Sequence, residues 1–73
     1  MDRMYEEIAM NIKKCRKAQG LSQEKLAEAA GLSRNYISLV ETRQDKIGMQ
    51  AFMKIKLALG VSASQLFGDA GQE

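Results

Sequence analysis

The sequence contains no proline and no histidine, a single cysteine at Cys15, and only two tyrosines and two phenylalanines as aromatic side chains. Without proline, the commonest helix breaker is missing. Without histidine, the commonest general base and metal ligand is missing too. Cys15 has no second cysteine to pair with, so nothing asks for an oxidising compartment. It falls on the apolar face of a helical segment with no base to activate it, and so reads as a core thiol instead of a nucleophile. No glycine-rich phosphate loop and no metal-spaced cluster occurs. Neither catalysis nor a cofactor is expected. No apolar run approaches the ~20 residues of a membrane span. The start carries Asp2, Glu6 and Glu7 where a secretory leader would be basic and then apolar. A cytoplasmic chain with no membrane partner is the expectation.

What is present points to helices. Hydrophobic residues make up 45% of 73 positions, enough for one core in one domain. A chain this short buries only roughly 60% of the surface its unfolded form exposes, which makes self-association plausible. Net charge is +2, from eleven basic and nine acidic side chains, a balance too weak to demand a polyanionic partner. Its distribution is more telling. Lys13, Lys14, Arg16 and Lys17 cluster, and Arg34, Arg43 and Lys46 follow a predicted helix start.

Five helical segments can be read between glycine and serine punctuation. The first covers about residues 5–19, with Ile8, Ile12 and Cys15 on one face, and Gly20 stops it. The second covers about 22–29, opened by Ser22, with Leu26, Ala27 and Ala30 inward. After Gly31 and Leu32, Ser33 opens a third over about 33–42, with Ile37 and Val40 inward. A polar stretch from Arg43 to Gly48 leads to a fourth, about 49–59, whose buried stripe is Phe52, Ile55 and Leu59. Gly60 ends it, and Ser62 caps a short fifth over about 62–67 carrying Leu66 and Phe67. Residues 69–73 are expected to fray.

The stretch QEKLAEAAGLSRNYISLVE, Gln23 to Glu41, places two short helices around a tight turn. Ala27 provides a small contact and Gly31 the sharp change of direction that a steep crossing needs. This pattern resembles the phage-repressor/Cro (Xre-like) helix-turn-helix family. The likeness runs from about Ile8 to Leu66, through IKKCRKAQGLSQEKLAEAAGLSRNYISLVE and, more loosely, MKIKLALGVSASQLF. Within that family, the size and the SRNYISLVE segment are similar to the small controller proteins of restriction–modification systems. The resemblance implies an all-α, compact five-helix lambda-repressor-like fold and a transcriptional regulator that binds a double-stranded, pseudo-palindromic operator as a homodimer. It departs from the family at four positions. Arg43 stands where glycine is usual and Ile47 where proline is usual, so the loop between them can take its own shape. Lys56 replaces a small inner residue and would have to snorkel from the core's edge, while Leu57 replaces a surface lysine.

A helix of this size fits the major groove with its first residues toward the base edges. With Ile37 and Val40 inward, Arg34, Asn35, Ser38, Leu39 and Thr42 face outward. Arginine suits guanine, asparagine suits adenine, and Leu39 can lie against a thymine methyl. The resemblance places Arg34, Asn35, Ser38 and Leu39 at base-reading positions, with a solvated helix face as the plain alternative. It also places Gln23 against a phosphate and the recognition helix. Tyr36 either touches DNA or packs on helix two. Thr42, Arg43, Gln44 and Lys46 are candidates for backbone contact or simply surface polar residues. Arg16 and Glu41 fall on positions that form a partly buried ion pair in the family.

One helix in one groove gives few contacts, so two copies about 34–36 Å apart are expected. Leu57, Val61, Leu66 and Phe67 are candidate dimer contacts. Val61 and Leu66 also suit the monomer core, leaving Phe67 and Leu57 as the better interface residues. No effector domain fits in this length, so no small-molecule effector is expected. An activating contact with RNA polymerase could use Glu24, Glu28 or Asp45, which are equally ordinary surface acids. A protein-interaction module of the same fold, such as an antitoxin or coactivator, is the rival reading. Arg34 and Asn35 on the outward face favour DNA over that rival.

Overall fold

A computed structural model describes residues 3–68, folded as five helices: α1 (Arg3–Ala18), α2 (Gln23–Ala30), α3 (Arg34–Glu41), α4 (Met49–Leu59) and α5 (Ala63–Phe67). No strand occurs among the described residues. Asp2 and the segment expected to fray, 69–73, lie outside them.

Serines set the starts of three helices. Ser22, Ser33 and Ser62 each hold an extended backbone, and each hydroxyl accepts from the amide three residues on. They are the caps that the sequence suggests, because an extended backbone aims the side chain at the free amides of the first turn. At Ser62 the cap is reciprocal, since its own amide donates to Gln65 Oε1 at 2.8 Å. α1 starts two residues earlier than its periodicity suggests, and Tyr5 joins Ile8 and Ile12 in packing against the core.

One core unites the helices. Ile12, Leu26, Ile37, Ile55 and Leu66 are its fully buried large side chains, one from each helix. Ala9 and Ala51 are buried with them, small enough to let helices approach closely. α2 packs on α3 and α4, while α1 runs beneath α5 and α3. Two polar side chains lock this arrangement at helix ends. Gln19 Nε2 donates to Leu59 O at 2.7 Å, and Asn11 Nδ2 donates to Leu66 O at 2.9 Å. Each satisfies a terminal carbonyl that its own helix cannot. Among the described residues, no helix is long and apolar enough to cross a membrane.

Candidate nucleic-acid interface

The turn from α2 into α3 is made by Gly31, at φ 68°, with Leu32 N donating back to Ala27 O at 2.9 Å. This is the left-handed position where a side chain would be strained. Ser33 then caps α3, and Ile37 and Val40 anchor one face in the core, Ile37 with no exposed surface. The opposite face is thereby left outward. Arg34 and Asn35 are exposed at the N-terminal end of α3, and Ser38 and Leu39 are half-buried one turn further on. Thr42 is exposed at the C-cap, its hydroxyl donating to Ser38 O at 2.8 Å. Arginine, asparagine, serine and an apolar edge on one short helix are donors and contacts suited to reading bases.

A buried ion pair fixes the far end of α3. Arg16 Nε donates to Glu41 Oε2 at 2.8 Å and Arg16 Nη2 to Glu41 Oε1 at 3.0 Å, a two-pronged match of planar groups. Arg16 Nη1 donates to Leu21 O at 2.8 Å, and Gln23 Nε2 donates to Glu41 Oε1 at 3.1 Å. Four polar groups thus tie the end of α1, the start of α2 and the end of α3 into one unit. No buried side-chain nitrogen or oxygen among the described residues lacks a partner. Glu41 is neutralised inward, away from the face carrying Arg34.

The departure at Arg43 leaves the backbone geometry of a glycine turn in place. α1, α2 and α4 end on Gly20, Gly31 and Gly60 in the left-handed region, each followed by an amide that bonds back to the carbonyl five residues earlier. α3 ends the same way. Arg43 has φ 62°, and Gln44 N donates to Leu39 O at 2.9 Å. The loop that follows is pinned at two points. Gly48 N donates to Tyr36 Oη at 3.2 Å. Lys46 Nζ lies 5.3 Å from the centre of the Tyr5 ring. Tyr36 therefore has its hydroxyl engaged at the start of α4, while its ring packs against the core. Ile47, in the proline position, is buried.

The candidate partner-facing residues separate. Leu66 has no exposed surface and belongs to the monomer core, and Val61 is half-buried against it. Phe67 is half-buried and stacks on Phe52, centroids 5.3 Å apart. Leu57 is 72% exposed. It continues a row absent from the residues proposed on sequence grounds, Met49 at 75% and Met53 at 44%, spaced four residues apart along α4. Lys56 is half-buried, as a snorkelling side chain would be. Cys15 packs against the core.

This fold is that of a helix-turn-helix domain of the Xre-like type, to which restriction–modification controller proteins are similar. The chain belongs to the helix-turn-helix family, whose profile matches residues 12–66. It is 42% identical over 59 residues to a hypothetical transcription factor of Neisseria meningitidis serogroup B, covering 81% of this chain and 56% of that one. The chain thus spans little more than half the length of that relative. Control protein C.SmaI of Serratia marcescens is 35% identical over 64 residues, covering 88% of this chain and 76% of its own. Among solved structures, the restriction–modification controller protein C.Esp1396I, a tetramer in complex with its natural 35 base-pair operator, superposes with a TM-score of 0.83. Identity to it is 30%, over 92% of this chain and 88% of that one.

Proposed function

We propose that this chain regulates transcription as a homodimer on a pseudo-palindromic operator, in the manner of a restriction–modification controller, with α3 in the major groove of each half-site. The supporting observation is the orientation of α3. Ile37 and Val40 are buried, so Arg34 and Asn35 project from the exposed N-terminal end where base edges would lie. In this reading Arg34, Asn35, Ser38 and Leu39 read bases. Gln23, Thr42, Arg43 and Gln44 meet phosphates, at the start of α2 and the end of α3. Tyr36 and Lys46 set the loop's shape from behind and lie beside the same backbone.

Dimerisation uses Leu57 and Phe67, extended along α4 by Met53 and Met49, with Val61 at the margin. Such a row of exposed apolar groups on one helix is more than a free surface needs. The length of the Neisseria relative leaves room for further protein-specific partners outside this match, and the operator reading concerns the matched domain. Glu24, Glu28 and Asp45 are exposed acids that a polymerase contact would use. Lys25 Nζ lies 3.9 Å from Glu28 Oε1, a solvent-exposed pair. In this reading the protein acts in the cytoplasm.

Selection of bound duplexes from random DNA tests the reading. The expected product is a symmetric pair of half-sites whose centres lie about one helical turn, or a multiple of it, apart. Recovery of no enriched sequence would overturn it.

A further inference from the structure

Around α1, Glu6, Met10, Lys13 and Lys17 recur at i, i+4, i+7 and i+11 and so share one strip of the helix surface. Both ends of that strip are located by contacts. Near its start, Glu6 and Tyr5 form one wall of a small cavity of about 90 Å³ whose other walls include Val40, Arg43 and Asp45. The strip therefore runs beside the end of α3. Near its finish, Arg16 reaches Glu41 and Leu21 O, which brings the last turn of α1 beside the start of α2 and Gln23. Lys13 and Lys17 are exposed, and neither makes a salt bridge among the described residues. Their strip lies between the two places, Gln23 and Arg43, where the proposed function sets the DNA backbone.

We propose that Lys13 and Lys17 form a phosphate-contact row on α1, gripping the DNA backbone alongside the groove that α3 enters. The inference rests on the DNA-binding reading above. Lysine is a compact, strongly hydrated point charge on a long stem, suited to a phosphate approached from the side without fixed geometry. Two such contacts raise affinity on any sequence and leave base preference to α3. Lys14, about 100° around the helix from Lys13, projects toward the outermost side of α1 and takes no part.

The test compares the full-length protein with K13Q, K17Q and K14Q on two labelled duplexes, one of random sequence and one carrying the selected operator, over a salt series. Each phosphate contact contributes about 0.9 to the slope of log affinity against log salt. K13Q and K17Q should each flatten that slope by about 0.9 on both duplexes, equal to about 3.5-fold less affinity lost over a fourfold rise in salt. K14Q should match the parent, and K13R and K17R should restore it. Slopes in K13Q and K17Q equal to a steep parental slope would overturn the row while leaving the operator reading intact. An equal flattening in K14Q would also overturn it, by showing a general charge effect. A parent that bound neither duplex would instead sink the DNA-binding reading and the row with it.

Discussion

Arg16 and Glu41, twenty-five residues apart in sequence, meet through two parallel hydrogen bonds of 2.8 and 3.0 Å with almost no solvent on either side chain. Both charges are buried, so each carries a desolvation cost that the opposite charge chiefly offsets, helped by Leu21 O and Gln23. Arg16→Ala leaves Glu41 buried and unpaired, with Gln23 as its sole remaining side-chain donor. We expect a loss of about 3–5 kcal/mol, most of the stability of a domain this small. A denaturant double-mutant cycle with Glu41→Gln measures the coupling. Additive single effects would show that the pair is not the strut of α3.

Arg43 pays for its left-handed backbone without glycine's freedom. An ordinary residue in that region costs about 1–2 kcal/mol, partly balanced by the larger entropy that glycine loses on folding. Arg43→Gly should therefore stabilise the fold by about 0.5–1 kcal/mol, read as a higher denaturation midpoint. If the guanidinium also meets a phosphate, the same variant binds DNA more weakly, with a salt slope shallower by about 0.9. Greater stability with weaker binding is the expected pair of results. A fall in stability would mean that the side chain contributes more than the backbone strain costs.

Features that depend on near neighbours in the chain were readable in the sequence. Ser22, Ser33 and Ser62 precede apolar stripes, and the 3.6-residue spacing of Leu26, Ala27 and Ala30, then Ile37 and Val40, leaves little choice of inner face. The outward position of Arg34 and Asn35 follows from that spacing. The Arg16–Glu41 pair was legible only through family resemblance, because nothing local links two residues on different helices. Contacts set by tertiary geometry were not legible. Tyr36 to Gly48 and Lys46 over Tyr5 depend on how the loop from 43 to 48 folds back. The left-handed Arg43 hides for a related reason, since an arginine gives no local sign of a positive φ. Met49 and Met53 did carry a signal, being eight and four residues before Leu57. Methionine suits a core as well as a surface, so its spacing alone could not say which side it faced.

Leu57 and Leu66 should respond in opposite ways. Leu57→Glu adds a charge to an exposed row and leaves the core untouched. The monomer should keep its melting behaviour at low concentration, while sedimentation shows the dimer lost and operator affinity falls. Leu66→Ala opens a cavity under α5 and should cost about 2–5 kcal/mol in stability, whatever the oligomeric state. If Leu57→Glu sedimented like the parent across the binding range, α4 would not be the seam.

Arg34→Ala separates base reading from simple attraction. Arg34 is exposed at the first turn of α3 and makes none of the contacts that hold the helix in place. Its removal should leave the fold's stability near the parent's. A guanidinium that donates two parallel bonds to guanine contributes about 1–3 kcal/mol of discrimination at one base pair. The variant should therefore lose preference at a single position in each half-site and keep it at the others, as measured by binding to a panel of single-base operator variants. The random-duplex affinity should fall far less than the operator affinity. Uniform weakening across the panel, with every base preference preserved, would make Arg34 a phosphate contact and leave the bases to Asn35, Ser38 and Leu39.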